Sequence, residues 1–156
     1  MNYIHEINYE RYCHYDRLSN LEQKLVMNAQ QAMQKAYAPY SRLKVGAALL
    51  LSDGTIIQGN NQENIAYPSG LCAERVALFY AGSNYPQTEV ESMVIVAEGD
   101  LLKPSGIVSP CGACRQVMLE TQKRQSKPFR VVLVGQKGNV LVFHSADDLL
   151  PFAFGV

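Results

Sequence analysis

Cys111 and Cys114 stand three positions apart just after Pro110, and Cys72 stands in a separate segment, two positions before Glu74. Side chains three apart in a first helical turn share a face, so the pair can grip one ion, and Cys72 must arrive from elsewhere in the fold. Both cysteine segments sit where helices begin, where helix dipoles and free backbone donors favour thiolates. Three thiolates form a soft donor set suited to zinc, and a tetrahedral ion held this way keeps one corner for water, whose pKa falls toward about 7. Such water needs a proton carrier beside it. Glu74 is the acid nearest in sequence, and it serves if Cys72 lies at a helix edge with Glu74 in the first turn. Arg75 is placed to offset the charge of the sulfurs. Other readings stand beside this one. Cys13 as fourth ligand would make a closed, structural site. His5, His14 and His144 are further candidate ligands, without a spacing pattern. A thioredoxin-like redox pair would use Cys111 and Cys114 but leave Cys72 and Glu74 idle, and unliganded buried thiols complete the alternatives.

The rest of the composition bounds the setting. A chain of 156 residues, 47% apolar and 18% charged, is one domain with an ordinary hydrophobic core. Its 14 Lys+Arg and 14 Asp+Glu cancel, which excludes a strong nonspecific grip on nucleic acid. No apolar run is long enough to span a membrane and the first residues lack a signal-peptide core, so the expected location is the cytoplasm. In that reducing compartment, closely spaced cysteines more often bind metal than form disulfides.

Residues 1–17 are rich in Tyr and His without a sustained period and read as an extension laid on the domain or loosely ordered; residues 18–156 read as the catalytic domain. Ser19 and Glu22 form a capping-box pattern ahead of Leu21, Leu25, Ala29, Ala32, Met33 and Ala36, a first amphipathic helix stopped before Pro39. Val45 to Leu51, the turn Ser52-Asp53-Gly54-Thr55 and Ile56-Ile57 read as a hairpin, with Gly46 marking a close approach. Helices are expected from Cys72 to Tyr80 and from Arg115 to Gln122, a short strand at Met93 to Ala97, and a second hairpin at Val131 to Val134 and Val140 to Phe143. Hairpins alternating with helices imply an α/β domain: a mixed, five-stranded sheet covered by helices.

Cys72-Ala73-Glu74-Arg75 followed by Pro110-Cys111-Gly112-Ala113-Cys114 resembles the zinc signature of the cytidine deaminases. The likeness runs from Leu21 to Phe154 and takes in Tyr40-Ser41, Val45-Gly46-Ala47-Ala48, the Asn61-Gln62-Glu63-Asn64 stretch, Ala66-Tyr67 and Leu149-Leu150-Pro151. Cysteine rather than histidine as first ligand resembles the free-nucleoside branch. The resemblance implies hydrolytic deamination of cytidine and deoxycytidine to uridine and deoxyuridine, with ammonia released, one zinc ion per chain, no organic cofactor, and a homotetramer with shared sites. It implies that Asn61 and Glu63 hold the ribose hydroxyls, that the Ala73 amide contacts the pyrimidine O2, and that Leu43 covers the pyrimidine face where the family commonly has phenylalanine. It also implies that Phe154, or the extra ring Phe152, reaches a neighbouring subunit's site, with Tyr67 at a subunit interface. The rivals are a deaminase of another aminopyrimidine or purine nucleoside, and a noncatalytic module stabilised by a closed zinc site.

Overall fold

In the computed structural model, which describes residues 1–100 and 102–154, the first helix α1 (Asn20–Gln34) starts on a complete capping box. The Glu22 backbone N–H donates to the Ser19 hydroxyl and the Ser19 N–H donates to the Glu22 carboxylate. Its buried stripe is Leu25, Val26, Ala29, Ala32 and Met33, the spacing expected of one apolar helical face. Strands β2 (Lys44–Leu51) and β3 (Ile56–Asn60) form the expected hairpin, turned at Gly54 with φ +85°. Helix α2 (Ala73–Asn84), strand β4 (Val90–Glu98), helix α3 (Gly112–Lys123), and the hairpin of β5 (Arg130–Val134) and β6 (Val140–Phe143) follow. A leading strand β1 (Tyr9–Tyr12) joins them in one sheet of order β1-β6-β5-β4-β2-β3. Strands β4 and β5 are parallel, with α3 between them in the chain, and every other pairing is antiparallel. The mixed sheet covered by helices is as expected, with one correction: it has six strands, not five.

The alternation of side chains along the strands splits the core in two. Ala47, Leu49, Leu51, Met93, Ile95, Val131 and Leu133 face α2 and α3. Ala48, Leu50, Val94 and Val96 face α1 on the other side. Two glycines let helices lie close to this sheet. A Cβ at Gly46 would stand 2.0 Å from the Ala29 carbonyl oxygen of α1, the close approach anticipated there. A Cβ at Gly59 would stand 2.4 Å from the Ala73 carbonyl oxygen of α2.

The sixth strand comes from the segment read as an extension. Tyr9 pairs with Phe143 and Tyr12 with Val140, along the outer edge of β6. Helix α1 lies over β2, β3 and β4. Leu18, with Tyr12 and Tyr15 packed alongside, joins the cluster that contains Val132, Val140 and Val142 of β5 and β6. Polar contacts fasten the same corner: His144 Nε2 lies 2.7 Å from Glu10, and Arg130 lies 3.1 Å from Glu22 of α1. Among the described residues no helix is long and apolar enough to cross a membrane.

Candidate metal centre and active site

Cys72 is the N-cap of α2 and Cys111 the N-cap of α3, both with extended backbone, and Cys114 lies in the first turn of α3. The two helices flank each other on one face of the sheet, which brings their starts together. The Sγ atoms of Cys72 and Cys111 are 3.9 Å apart and those of Cys111 and Cys114 3.4 Å, all three within 4.8 Å of one another. Tetrahedral bonds of about 2.3 Å to one zinc ion would set sulfurs about 3.8 Å apart, so the cluster fits that ion. The cysteines are free thiols, not disulfides. Among the described residues, this is the group able to hold a metal, and Cys13, exposed just after β1, lies outside it. His144 is engaged with Glu10, and His14 stacks on Tyr15. Neither joins the sulfurs.

The electrostatics match the donor set. The Cys72 thiol is drawn down to about 5 by hydrogen bonding to Cys114, and further by the Arg75 guanidinium, whose Nη2 lies 3.6 Å from its sulfur. The Cys114 thiol is pushed the opposite way by its bond to Cys72 and by burial. Metal binding requires the thiolate form of these sulfurs, which the Arg75 guanidinium favours at Cys72. Arg75 Nε is buried without a hydrogen-bond partner among the described residues, a polar cost at the edge of the cluster. Glu74 sits in the first turn of α2 with only 4% exposure. Burial pushes its carboxyl above the ordinary range, and the neighbouring Cys72 charge adds to the rise. A carboxyl that tends to hold its proton beside a metal-ligating cluster has the character of an acid–base group.

The loop between α1 and β2 is held by Asn61 and Glu63, which follow β3. Asn61 Oδ1 accepts from the Val45 N–H at 2.8 Å, and its Nδ2 donates to the Leu43 carbonyl at 2.8 Å. Glu63 Oε2 accepts from the Tyr40 N–H at 2.8 Å and the Ser41 N–H at 3.3 Å, while Oε1 accepts from the Ser41 hydroxyl. The Ser41 bond, then the backbone donors, hold its carboxyl below the usual range, so it is anionic near neutrality. Ala73 is fully buried at the first position of α2, and Leu43 is half-buried.

A family model described as the cytidine and deoxycytidylate deaminase zinc-binding region matches residues 19–129. The chain belongs to this family. A cytidine deaminase of Halalkalibacterium halodurans is 43% identical over 132 residues, which is 85% of this chain and 92% of the relative. One of Sporosarcina psychrophila is 47% identical over 132 residues, covering 85% and 90%. The crystal structure of cytidine deaminase from Burkholderia pseudomallei matches with a TM-score of 0.74 at 46% identity, covering 85% of this chain and 98% of that one.

Within this deaminase fold, the structure brings Cys72, Glu74, Arg75, Cys111 and Cys114 together, and ties Leu43, Asn61 and Glu63 into a second cluster. The remaining aromatic candidates point away from the chain's own core. Tyr67, in a 3-10 turn, is 91% exposed, Phe152 94% and Phe154 86%. The tail's backbone is nonetheless fixed to the residues that follow Cys114 in α3. Arg115 donates from Nε to the Pro110 carbonyl at 2.8 Å, from Nη2 to the Ser109 hydroxyl at 2.8 Å and from Nη1 to the Leu149 carbonyl at 3.1 Å. Gln116 donates to the Phe154 carbonyl at 2.9 Å. Sequence reasoning assigned Arg115 and Ser41 no role. Arg115 follows Cys114 directly, and that adjacency was the available signal.

Proposed function

We propose that this enzyme hydrolyses cytidine and deoxycytidine to uridine and deoxyuridine, releasing ammonia. The observation that carries the reading is the three-sulfur cluster with the buried carboxyl of Glu74 on the same first turn of α2. Zinc held by Cys72, Cys111 and Cys114 would supply a Lewis acid and an acidified water for attack at the pyrimidine C4. Glu74 delivers a proton to N3 and later passes one to the departing amine, a double duty that its burial supports by raising its affinity for a proton. Arg75 offsets the negative charge that three thiolates gather. The Ala73 amide, free of an intrahelical partner at a helix start, receives the pyrimidine O2. Asn61 and Glu63 hold the ribose hydroxyls and Leu43 covers the ring, without the stacking an aromatic would give.

The negative charge of Glu63 also disfavours a phosphate near the sugar, so the substrate is a nucleoside rather than a nucleotide. The working form is a homotetramer in which Phe154 or Phe152 reaches a neighbour's site and Tyr67 lies at an interface. The exposure of these rings supports it, since apolar rings left in water mark contact surfaces. Residues 18–156 form the catalytic unit and residues 1–17 an addition to it. A cytoplasmic location fits the free cysteines. The test is a spectrophotometric screen of cytidine, deoxycytidine, cytosine, cytidine monophosphate and adenosine, read against zinc content. Turnover of the two cytidine nucleosides with one zinc per chain is expected. Preference for adenosine, comparable turnover of the monophosphate, or a metal-loaded protein that releases no ammonia would each overturn the corresponding part.

A further inference from the structure

The loop that carries Leu43 and the pair Asn61 and Glu63 form one hydrogen-bonded unit, and a single hydroxyl joins its two halves. Ser41 Oγ donates to Glu63 Oε1 and accepts from the Leu43 N–H at 3.0 Å. The two oxygens of Glu63 are not held alike: among the described residues, Oε2 has two backbone donors, whereas Oε1 has the Ser41 hydroxyl alone. Between Ser41 and Leu43 stands Arg42 with φ 56°, the one positive-φ residue other than glycine among the described residues. A non-glycine residue stays in that region only where its surroundings hold it, and here the bond from the Leu43 N–H to Ser41 Oγ spans it.

We propose that Ser41 is the positioning residue for sugar recognition: its hydroxyl fixes the Glu63 carboxylate toward the ribose and locks it to the backbone of Leu43. The proposal rests on the nucleoside-deaminase reading above. Glu63 supplies the contact, and Ser41 acts through it. Without the hydroxyl, Oε1 is free to turn about the anchored Oε2, and the carboxylate loses its preset direction for the sugar.

The experiment is a double-mutant cycle on the zinc-loaded enzyme, with Ser41→Ala, Glu63→Ala, the double variant and Ser41→Thr, and cytidine as substrate. Ser41→Ala should lower kcat/KM about tenfold, the effect expected of one hydrogen bond to a charged group, through KM and with kcat little changed. In the Glu63→Ala background the same change should cost less than about twofold, because its target is gone. Ser41→Thr keeps the hydroxyl and should restore most of the loss. An equal cost of Ser41→Ala in both backgrounds, a loss confined to kcat, or no rescue by threonine would overturn the proposal, even if zinc content and melting temperature also fell. Absence of cytidine turnover by the parent enzyme would instead overturn the underlying function and the proposal with it.

Discussion

Gly59→Ala tests whether the seating depth of α2 sets the geometry of the active site. The new Cβ would lie 2.4 Å from the Ala73 carbonyl oxygen, 2.8 Å from the Ala77 backbone nitrogen and 3.0 Å from the Ala77 Cβ. Two of these are backbone atoms that no rotamer change can move. Restoring an ordinary contact of 3.4 Å to the Ala73 oxygen requires a displacement of about 1 Å, in the turn that carries Cys72 and Glu74. Overpacking of this kind costs about 1–3 kcal/mol, and in a chain of this size that lowers the melting temperature by about 3 to 9 °C. The larger effect falls on chemistry, where a misplacement of about 1 Å costs on the order of a hundredfold. The assay pairs thermal unfolding with zinc content and steady-state cytidine deamination. A variant that folds with a full complement of zinc and a kcat within twofold of the parent would refute the link between the Gly59 contact and the reacting groups.

Three further perturbations probe other links. Glu74→Gln should fold and retain zinc while kcat drops by about a hundredfold or more, because an amide cannot shuttle protons; substantial residual turnover would remove Glu74 from that role. Cys111→Ala should lose metal and thermal stability together, since ligand binding is coupled to folding, and full zinc occupancy by elemental analysis would contradict the ligand set. The Glu10 carboxyl is held below its ordinary range by the Tyr12 hydroxyl, with Arg130 and His144 also contributing. Its stabilisation of β1 is therefore present above the unfolded glutamate range of about 4.3 and is lost as the pH falls through its lower folded value. Hydrogen exchange followed down in pH should show Tyr9–Tyr12 opening before Arg130–Val134, and simultaneous loss of protection would count against it.

The parts of the fold legible in sequence were those written in local patterns. The Ser19 and Glu22 capping box, the Asp53-Gly54 turn, and cysteines directly before two helices each carry their own short-range signal. Strand β1 carries almost none. Tyr9-Glu10-Arg11-Tyr12 is short and half charged, and only pairing with β6, at the opposite end of the chain, gives Glu10 its partners Arg130 and His144. In the site, the Cys111 and Cys114 spacing was legible because metal chemistry dictates it, and the structure brings Cys72 into the same cluster. The hydrogen bonds from Asn61 and Glu63 to the loop around Leu43 were not legible, because they depend on where β3 delivers two polar side chains relative to a backbone some twenty residues earlier.

The pairing of Tyr9 with Phe143 has a consequence for biosynthesis. Of the six strands described, the first to leave the ribosome cannot dock until the last has emerged, so nascent chains carry β1 as an unsatisfied edge until β6 is made. Premature termination anywhere before Val140 would leave that edge without its mate. Completion of the sheet thereby doubles as a check that synthesis has passed Phe143.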